Sequence, residues 1–108
     1  MLSFHQIIFC TCPDKESAEK IGRLLVVDKL AACVNILPGI TSIYTWKGQI
    51  ESTQEHLLLI KFNKDNYQAV EASIRSHHPY ELPEIIAVPI ERGLPEYLHW
   101  IDSCHSSK

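Results

Sequence analysis

Residues 33–49 read CVNILPGITSIYTWKGQ, an apolar run that is long for a strand in a chain of 108 residues. At about 3.3 Å per residue, the part from Cys33 to Lys47 would extend about 45–50 Å, whereas a compact domain of about 100 residues has a radius of gyration of only about 13 Å. Such a hairpin must overhang its own core. The overhanging part carries four large apolar side chains: Ile40, Ile43, Tyr44 and Trp46. Because an exposed apolar patch usually marks a partner surface, the sequence predicts an oligomer.

The hydrophobic periodicity of the whole chain predicts the order β-α-β-β-α-β with a further helix at the end. The predicted elements are strand 4–12, helix 15–29, strand 32–47, strand 49–62, helix 65–77, strand 85–90 and a helix from residue 95. This order is typical of the ferredoxin-like α+β sandwich, and right-handed crossovers give an antiparallel sheet with the strand order 4-1-3-2. Pro38 and Pro89 support that order, since both fall in predicted edge strands, where proline is tolerated. We expect a single domain over residues 1–108, with a flexible tail over residues 103–108.

The composition narrows the classes of function. A net charge of −3 gives no basic surface for nucleic acid, and no apolar run approaches the roughly 18 residues of a membrane-spanning helix. The N-terminal residues lack the positive charges of an export signal. Four cysteines occur without the spacing of a disulfide framework. We therefore expect free thiols and a cytoplasmic protein that binds neither nucleic acid nor membranes.

Catalytic signatures are missing from the sequence. It contains no nucleophile–base pattern and no HExxH zinc motif. Its four glycines are isolated from one another, so they cannot form a phosphate-binding loop. We therefore expect that the protein is not an enzyme.

Cys10 and the pair His77-His78 are candidate metal ligands. Cys10 lies near the end of the first predicted strand, and the two histidines precede the fourth. Since these strands are antiparallel neighbours in the predicted sheet, the thiol and the imidazoles can converge at one sheet edge. Such ligands suit copper, which also heads the affinity order of the divalent ions. A structural alternative stays open, in which Cys10 is a small buried apolar residue, His77 covers the core and His78 bonds the last carbonyls of its helix.

Four separated segments of the chain resemble, in the correct order, the CutA family of divalent-ion tolerance proteins. They read FCTCPD (residues 9–14), KLAACVN (29–35), PGITSIYTWKG (38–48) and HHPYELPEI (77–85). The resemblance is to the bacterial type of the family and runs from about residue 5 to residue 102.

This resemblance implies a ferredoxin-like subunit, a homotrimer and a cytoplasmic protein associated with tolerance to copper and other divalent metal ions. Residue by residue, it implies one copper ion per subunit at Cys10, His77 and His78. A fourth ligand is left open between Cys12, Glu81 and a neighbouring subunit, and the roles of Cys104 and His105 are open as well.

The resemblance also implies a cleft between subunits near the histidine loop. Its expected polar lining is Lys61, Tyr80, Glu81, Glu84 and Glu91. Because clefts of this kind bind small molecules, a trimeric ligand sensor similar to PII-type regulators is an alternative function. A trimeric scaffold on which metals act only indirectly is another, and the acidic residues would then form a solvated surface.

Overall fold

The structure, a computed structural model, describes residues 4–104. The described residues form four strands, three α-helices and a 3-10 turn, in the order β1 (His5–Cys12), α1 (Lys15–Val27), β2 (Cys33–Trp46), β3 (Gln49–Asn63), the 3-10 turn (Lys64–Asn66), α2 (Tyr67–His77), β4 (Ile86–Pro89) and α3 (Pro95–Ser103). The strands pair into one antiparallel sheet in the order β2-β3-β1-β4. This is the predicted order read from the opposite edge, so the ferredoxin-like α+β fold is confirmed.

The two helices between the strands differ slightly from their predicted bounds. α1 ends at Val27, two residues early, and the chain leaves it through Lys29, which has a positive φ of 61°. α2 begins two residues late because the Asn63 side chain accepts the Asp65 N–H at 2.9 Å and starts a 3-10 turn instead. These differences leave the topology unchanged.

The hairpin of β2 and β3 extends well beyond the core, as the sequence predicted. The molecule measures 44 × 27 × 22 Å. The strand register shifts between Leu37 and Ile40, at Pro38, which has no N–H to give to the ladder. Farther out, the side chains of Ile43 and Ile50 are 72% and 80% exposed. The far part of the hairpin is therefore an exposed apolar surface.

The hairpin turn is a site where glycine is required. Lys47 and Gly48 have φ of 52° and 79°, the pair of positive angles that a two-residue type I′ turn needs. We expect Gly48→Ala to lower the free energy of unfolding by about 1–2 kcal/mol, because a Cβ disfavours the left-handed region. Denaturant unfolding at fixed protein concentration measures this change. Lys47→Asn is the matched control, since asparagine tolerates this conformation; a similar loss in both variants would contradict the explanation.

The core lies between one face of the sheet and the helices α1 and α2. Its members are largely aliphatic side chains with almost no exposed surface: Ile8, Cys10, Cys12, Ala18, Ile21, Leu25, Leu58, Ile60, Phe62, Val70 and Ile74. On β1, alternate residues face the helices, as the period of a strand dictates. This alternation places the Cys10 and Cys12 thiols in the core, near the end of β1.

The C-terminal part of the predicted tail is only partly described. Ser103 is the last residue of α3, and Cys104 follows it as a half-buried C-cap. Residues 105–108, including His105, lie outside the described residues. Among residues 4–104, no helix is both long enough and apolar enough to cross a bilayer.

Candidate metal centre

Cys10, Cys12 and His78 form a compact cluster of metal-binding side chains. One donor atom from each lies within 4.8 Å of the other two. The thiols are two residues apart on β1 and face the same side, and both are fully buried. His78 is the C-cap of α2 and is half-buried. The end of α2 thus brings an imidazole to the end of β1, so the structure places Cys10 and His78 together.

Hydrogen bonds fix the orientation and the tautomer of His78. Its Nδ1 accepts the Tyr80 N–H at 3.0 Å, so that nitrogen carries no proton. Its Nε2 lies 2.7 Å from the Thr11 carbonyl oxygen, to which it therefore donates. The same Nε2 lies 3.7 Å from Cys12 Sγ. The imidazole is held in place from both sides, with Nε2 directed at the Thr11 carbonyl oxygen and close to the Cys12 thiol.

The pKa values of the two thiols depend on each other. Hydrogen bonding to Cys12, burial and the nearby carboxylates raise the pKa of the Cys10 thiol far above its usual range. The same hydrogen bond lowers the pKa of Cys12. The pair therefore loses a proton more readily from Cys12 than from Cys10.

His77, the third residue expected at the site, is placed differently. Its side chain is exposed, and its Nδ1 lies 2.9 Å from the Ser73 carbonyl oxygen, one turn earlier in α2. Its donor atoms are not part of the cluster. Cys12, which the sequence left open, occupies that place instead. The two-residue period of a strand was the signal that put Cys12 on the same face as Cys10.

A cleft of about 710 Å³ opens beside the cluster, between the histidine loop and the hairpin. Inside it, the Tyr80 hydroxyl donates to Glu55 Oε2 at 2.7 Å, and the Glu55 side chain is only 5% exposed. Burial raises the pKa of Glu84, and the charge of Glu55 adds to this effect. The cleft lining includes Tyr80, Glu81 and Glu84 from the predicted set. The predicted members Lys61 and Glu91 do not line it.

Known proteins resemble this chain along nearly all of its length. The family model described as CutA1 divalent ion tolerance protein matches residues 6–104. The mouse protein named Protein CutA is 50% identical over 93 residues, which are 86% of this chain and 52% of the mouse protein. This chain therefore spans about half the length of that relative. The divalent-cation tolerance protein CutA of Yersinia pestis is 42% identical over 97 residues, 90% of this chain and 82% of the relative.

Solved structures agree with the fold. CutA from Xylella fastidiosa superposes with a TM-score of 0.94 at 52% identity, covering 96% of this chain and all of that one. The divalent cation tolerance protein of Thermus thermophilus superposes with a TM-score of 0.92 at 41% identity, covering 94% of this chain and 99% of that one. A protein of Archaeoglobus fulgidus described as the periplasmic divalent cation tolerance protein CutA superposes with a TM-score of 0.90 at 43% identity. The match covers 93% of this chain and 97% of that one.

Proposed function

This chain belongs to the CutA1 divalent ion tolerance family, and we propose that it binds copper, one ion per subunit, through Cys10, Cys12 and His78. Family membership supports a role in tolerance to divalent metal ions. The observation that carries the specific proposal is the cluster of two thiols and one imidazole whose donor atoms lie within 4.8 Å of one another.

The donor set fits a soft metal ion. Thiolates select copper(I), zinc and similar ions, whereas magnesium and calcium prefer oxygen ligands. One sulfur and one nitrogen bound to a single tetrahedral ion lie about 3.5 Å apart, given Zn–S of about 2.3 Å and Zn–N of about 2.0 Å. The distance from Cys12 Sγ to His78 Nε2 is 3.7 Å. This spacing, which is also that of a hydrogen bond between the two atoms, lets both bind one ion with little change in their separation.

Metal binding would break hydrogen bonds that His78 makes in the metal-free protein. The ion must displace the protons held by the two thiols, and His78 Nε2 must give up its bond to the Thr11 carbonyl. Protonation would then move to Nδ1, which must release the Tyr80 N–H. We expect moderate affinity, and a change in the turn at residues 78–80 when metal binds. Participation of His77 stays a prediction that the cluster does not require.

Copper titration of the metal-free protein tests the proposal. Calorimetry under anaerobic, reducing conditions should show about one copper(I) ion bound per subunit, with magnesium and calcium giving no heat of binding under the same conditions. Absence of copper binding would reject the proposal and favour the sensor or scaffold functions. We propose a non-catalytic role, in line with relatives that are named as tolerance proteins.

We also propose that the protein is a cytoplasmic homotrimer. The free state of all four cysteines supports a reducing compartment. The exposed apolar surface of the hairpin supports assembly, because a long unpaired edge strand invites aggregation unless a partner covers it.

Replacing Trp46 tests the assembly. The side chain is 43% exposed at the end of β2, and Trp46→Asp would put a charge in the proposed contact. We expect sedimentation to show a subunit dissociation shifted to at least about 10-fold higher protein concentration, or about 1.4 kcal/mol. Gln68→Asp, which adds the same charge to the exposed face of α2, should leave assembly unchanged. A wild-type protein that stays a folded monomer at micromolar concentration would contradict the trimer.

The cleft beside the metal centre favours a second candidate function. Its volume and its few converging polar groups are typical of a small-molecule site. A trimeric sensor would be stabilised by its ligand, since binding to the folded form alone raises the melting temperature. A screen of small molecules on the metal-free protein separates this function from a scaffold.

A further inference from the structure

His56 lies beside the metal centre, on the same side of the sheet. In the pairing of β1 with β3, it is directly opposite Cys12, at the last pair of the ladder. Side chains of directly opposed residues point to the same face, with Cβ atoms about 4.5–5.5 Å apart. The His56 side chain therefore leaves the sheet next to the Cys12 thiol and on the face that also carries Cys10.

The His56 ring has an unused buried nitrogen. Its Nδ1 is inaccessible to solvent and has no hydrogen-bond partner within residues 4–104. Buried polar atoms in native proteins nearly always have a partner, and an exception calls for an explanation. Imidazole nitrogen is also a strong ligand for zinc and copper. A metal ion at the neighbouring thiols would supply the missing partner.

We propose that His56 is the fourth ligand of this centre, which makes it a Cys2His2 site formed by Cys10, Cys12, His56 and His78. The inference rests on the proposed function and narrows it to closed-shell ions that accept tetrahedral geometry, namely zinc(II) and copper(I). Two thiolates and two imidazoles in a closed arrangement are a set that holds zinc tetrahedrally. Copper(II) prefers square-planar or tetragonal coordination by nitrogen and oxygen, so it fits this set less well.

Binding of the ion by His56 requires its ring to move. The three-residue cluster does not include His56, so its ring must turn toward the thiols when the ion enters. Metal–ligand bonds of about 2.3 Å to sulfur and about 2.0 Å to nitrogen can span the gap between two opposed side chains of a ladder. The position of His56 at the end of the ladder favours this movement, because no further β1–β3 pair follows Cys12 and His56 in the described residues.

Cobalt(II) is a suitable probe because it replaces zinc and reports its geometry and ligands in its absorption spectrum. The metal-free protein is titrated with cobalt(II) and then competed with zinc(II), for the wild type and His56→Val. Valine keeps a side chain that suits a strand. His99→Val, on the exposed face of α3, is the matched control.

For the wild type we expect thiolate-to-cobalt charge transfer together with intense tetrahedral d–d bands. His56→Val should keep the charge transfer, shift the d–d bands as water replaces the imidazole, and bind zinc at least about 10-fold more weakly, since even an outer-shell change costs about that much. The copper(I) affinity of the variant, measured by competition with a chelator, should decrease in parallel. An unchanged spectrum and affinity in a folded His56→Val variant would overturn the fourth ligand while leaving the proposed function intact. Absence of copper(I) binding in the wild type would instead reject the proposed function.

A measurement on the wild type covers the case in which His56→Val fails to fold. In protein labelled with ¹⁵N at histidine, the ring nitrogen signals of His56 and His78 should both shift when zinc(II) is added. A shift of His78 with no change at His56 would overturn the inference.

Discussion

Replacing Cys10 and Cys12 together by alanine should weaken copper(I) binding by more than about 100-fold. The reason is that both sulfur ligands are removed, and loss of a mere outer-shell partner already costs about 10–100-fold in metal affinity. The measurement is competition with a coloured copper(I) chelator under anaerobic, reducing conditions. Alanine is preferred to serine, because a hydroxyl group at these fully buried positions would need a new hydrogen-bond partner.

The other two cysteines are the matched control. Cys33 pairs with Lys61 near the start of β2, and Cys104 follows α3, so neither belongs to the cluster. The double substitution Cys33→Ala with Cys104→Ala should therefore keep wild-type copper(I) affinity. Equal weakening in both double variants, or in neither, would remove Cys10 and Cys12 from the list of ligands.

Phe62→Ala should lower the free energy of unfolding by about 3–5 kcal/mol, the usual cost of removing a buried aromatic ring. Phe62 is fully buried on β3, and its ring lies 6.4 Å from that of Tyr67. Such a loss is a large part of the about 5–15 kcal/mol that stabilises a typical domain. Denaturant unfolding at a fixed protein concentration gives the value, since association and folding are linked in an oligomer.

Phe4→Ala makes the same chemical change at a residue that is 59% exposed. It should lower the free energy of unfolding far less than Phe62→Ala does. A loss at Phe4 equal to that at Phe62 would show that burial in this core does not determine the effect.

The strand order could be predicted from the sequence because several independent rules agree on it. Crossover handedness limits the topologies, and prolines can sit only where no ladder N–H is needed, which fits Pro38 and Pro89 in the edge strands β2 and β4. Helix ends were less predictable. α1 ends through Lys29 with a positive φ, a conformation that usually calls for glycine, and no glycine in the sequence marked it.

Strand topology predicted where the candidate metal centre lies, but not which histidines belong to it. Antiparallel neighbours bring the end of β1 to the start of β4, so the meeting of Cys10 with the histidine loop followed from the fold. The choice between His77 and His78 depends on the residue at which α2 ends, because successive residues at a helix terminus point in different directions. His56 required the register of β1 with β3, which hydrophobic alternation leaves uncertain by two residues.

The central claim is that a thiophilic metal ion binds among Cys10, Cys12 and His78. A crystal structure of the copper-loaded protein, with an anomalous difference map at the copper absorption edge, tests it most directly. The account predicts one peak per subunit, within bonding distance of both sulfur atoms and of the His78 ring. A copper peak at His77 or at the carboxylates of the cleft, with no sulfur ligand, would contradict the account.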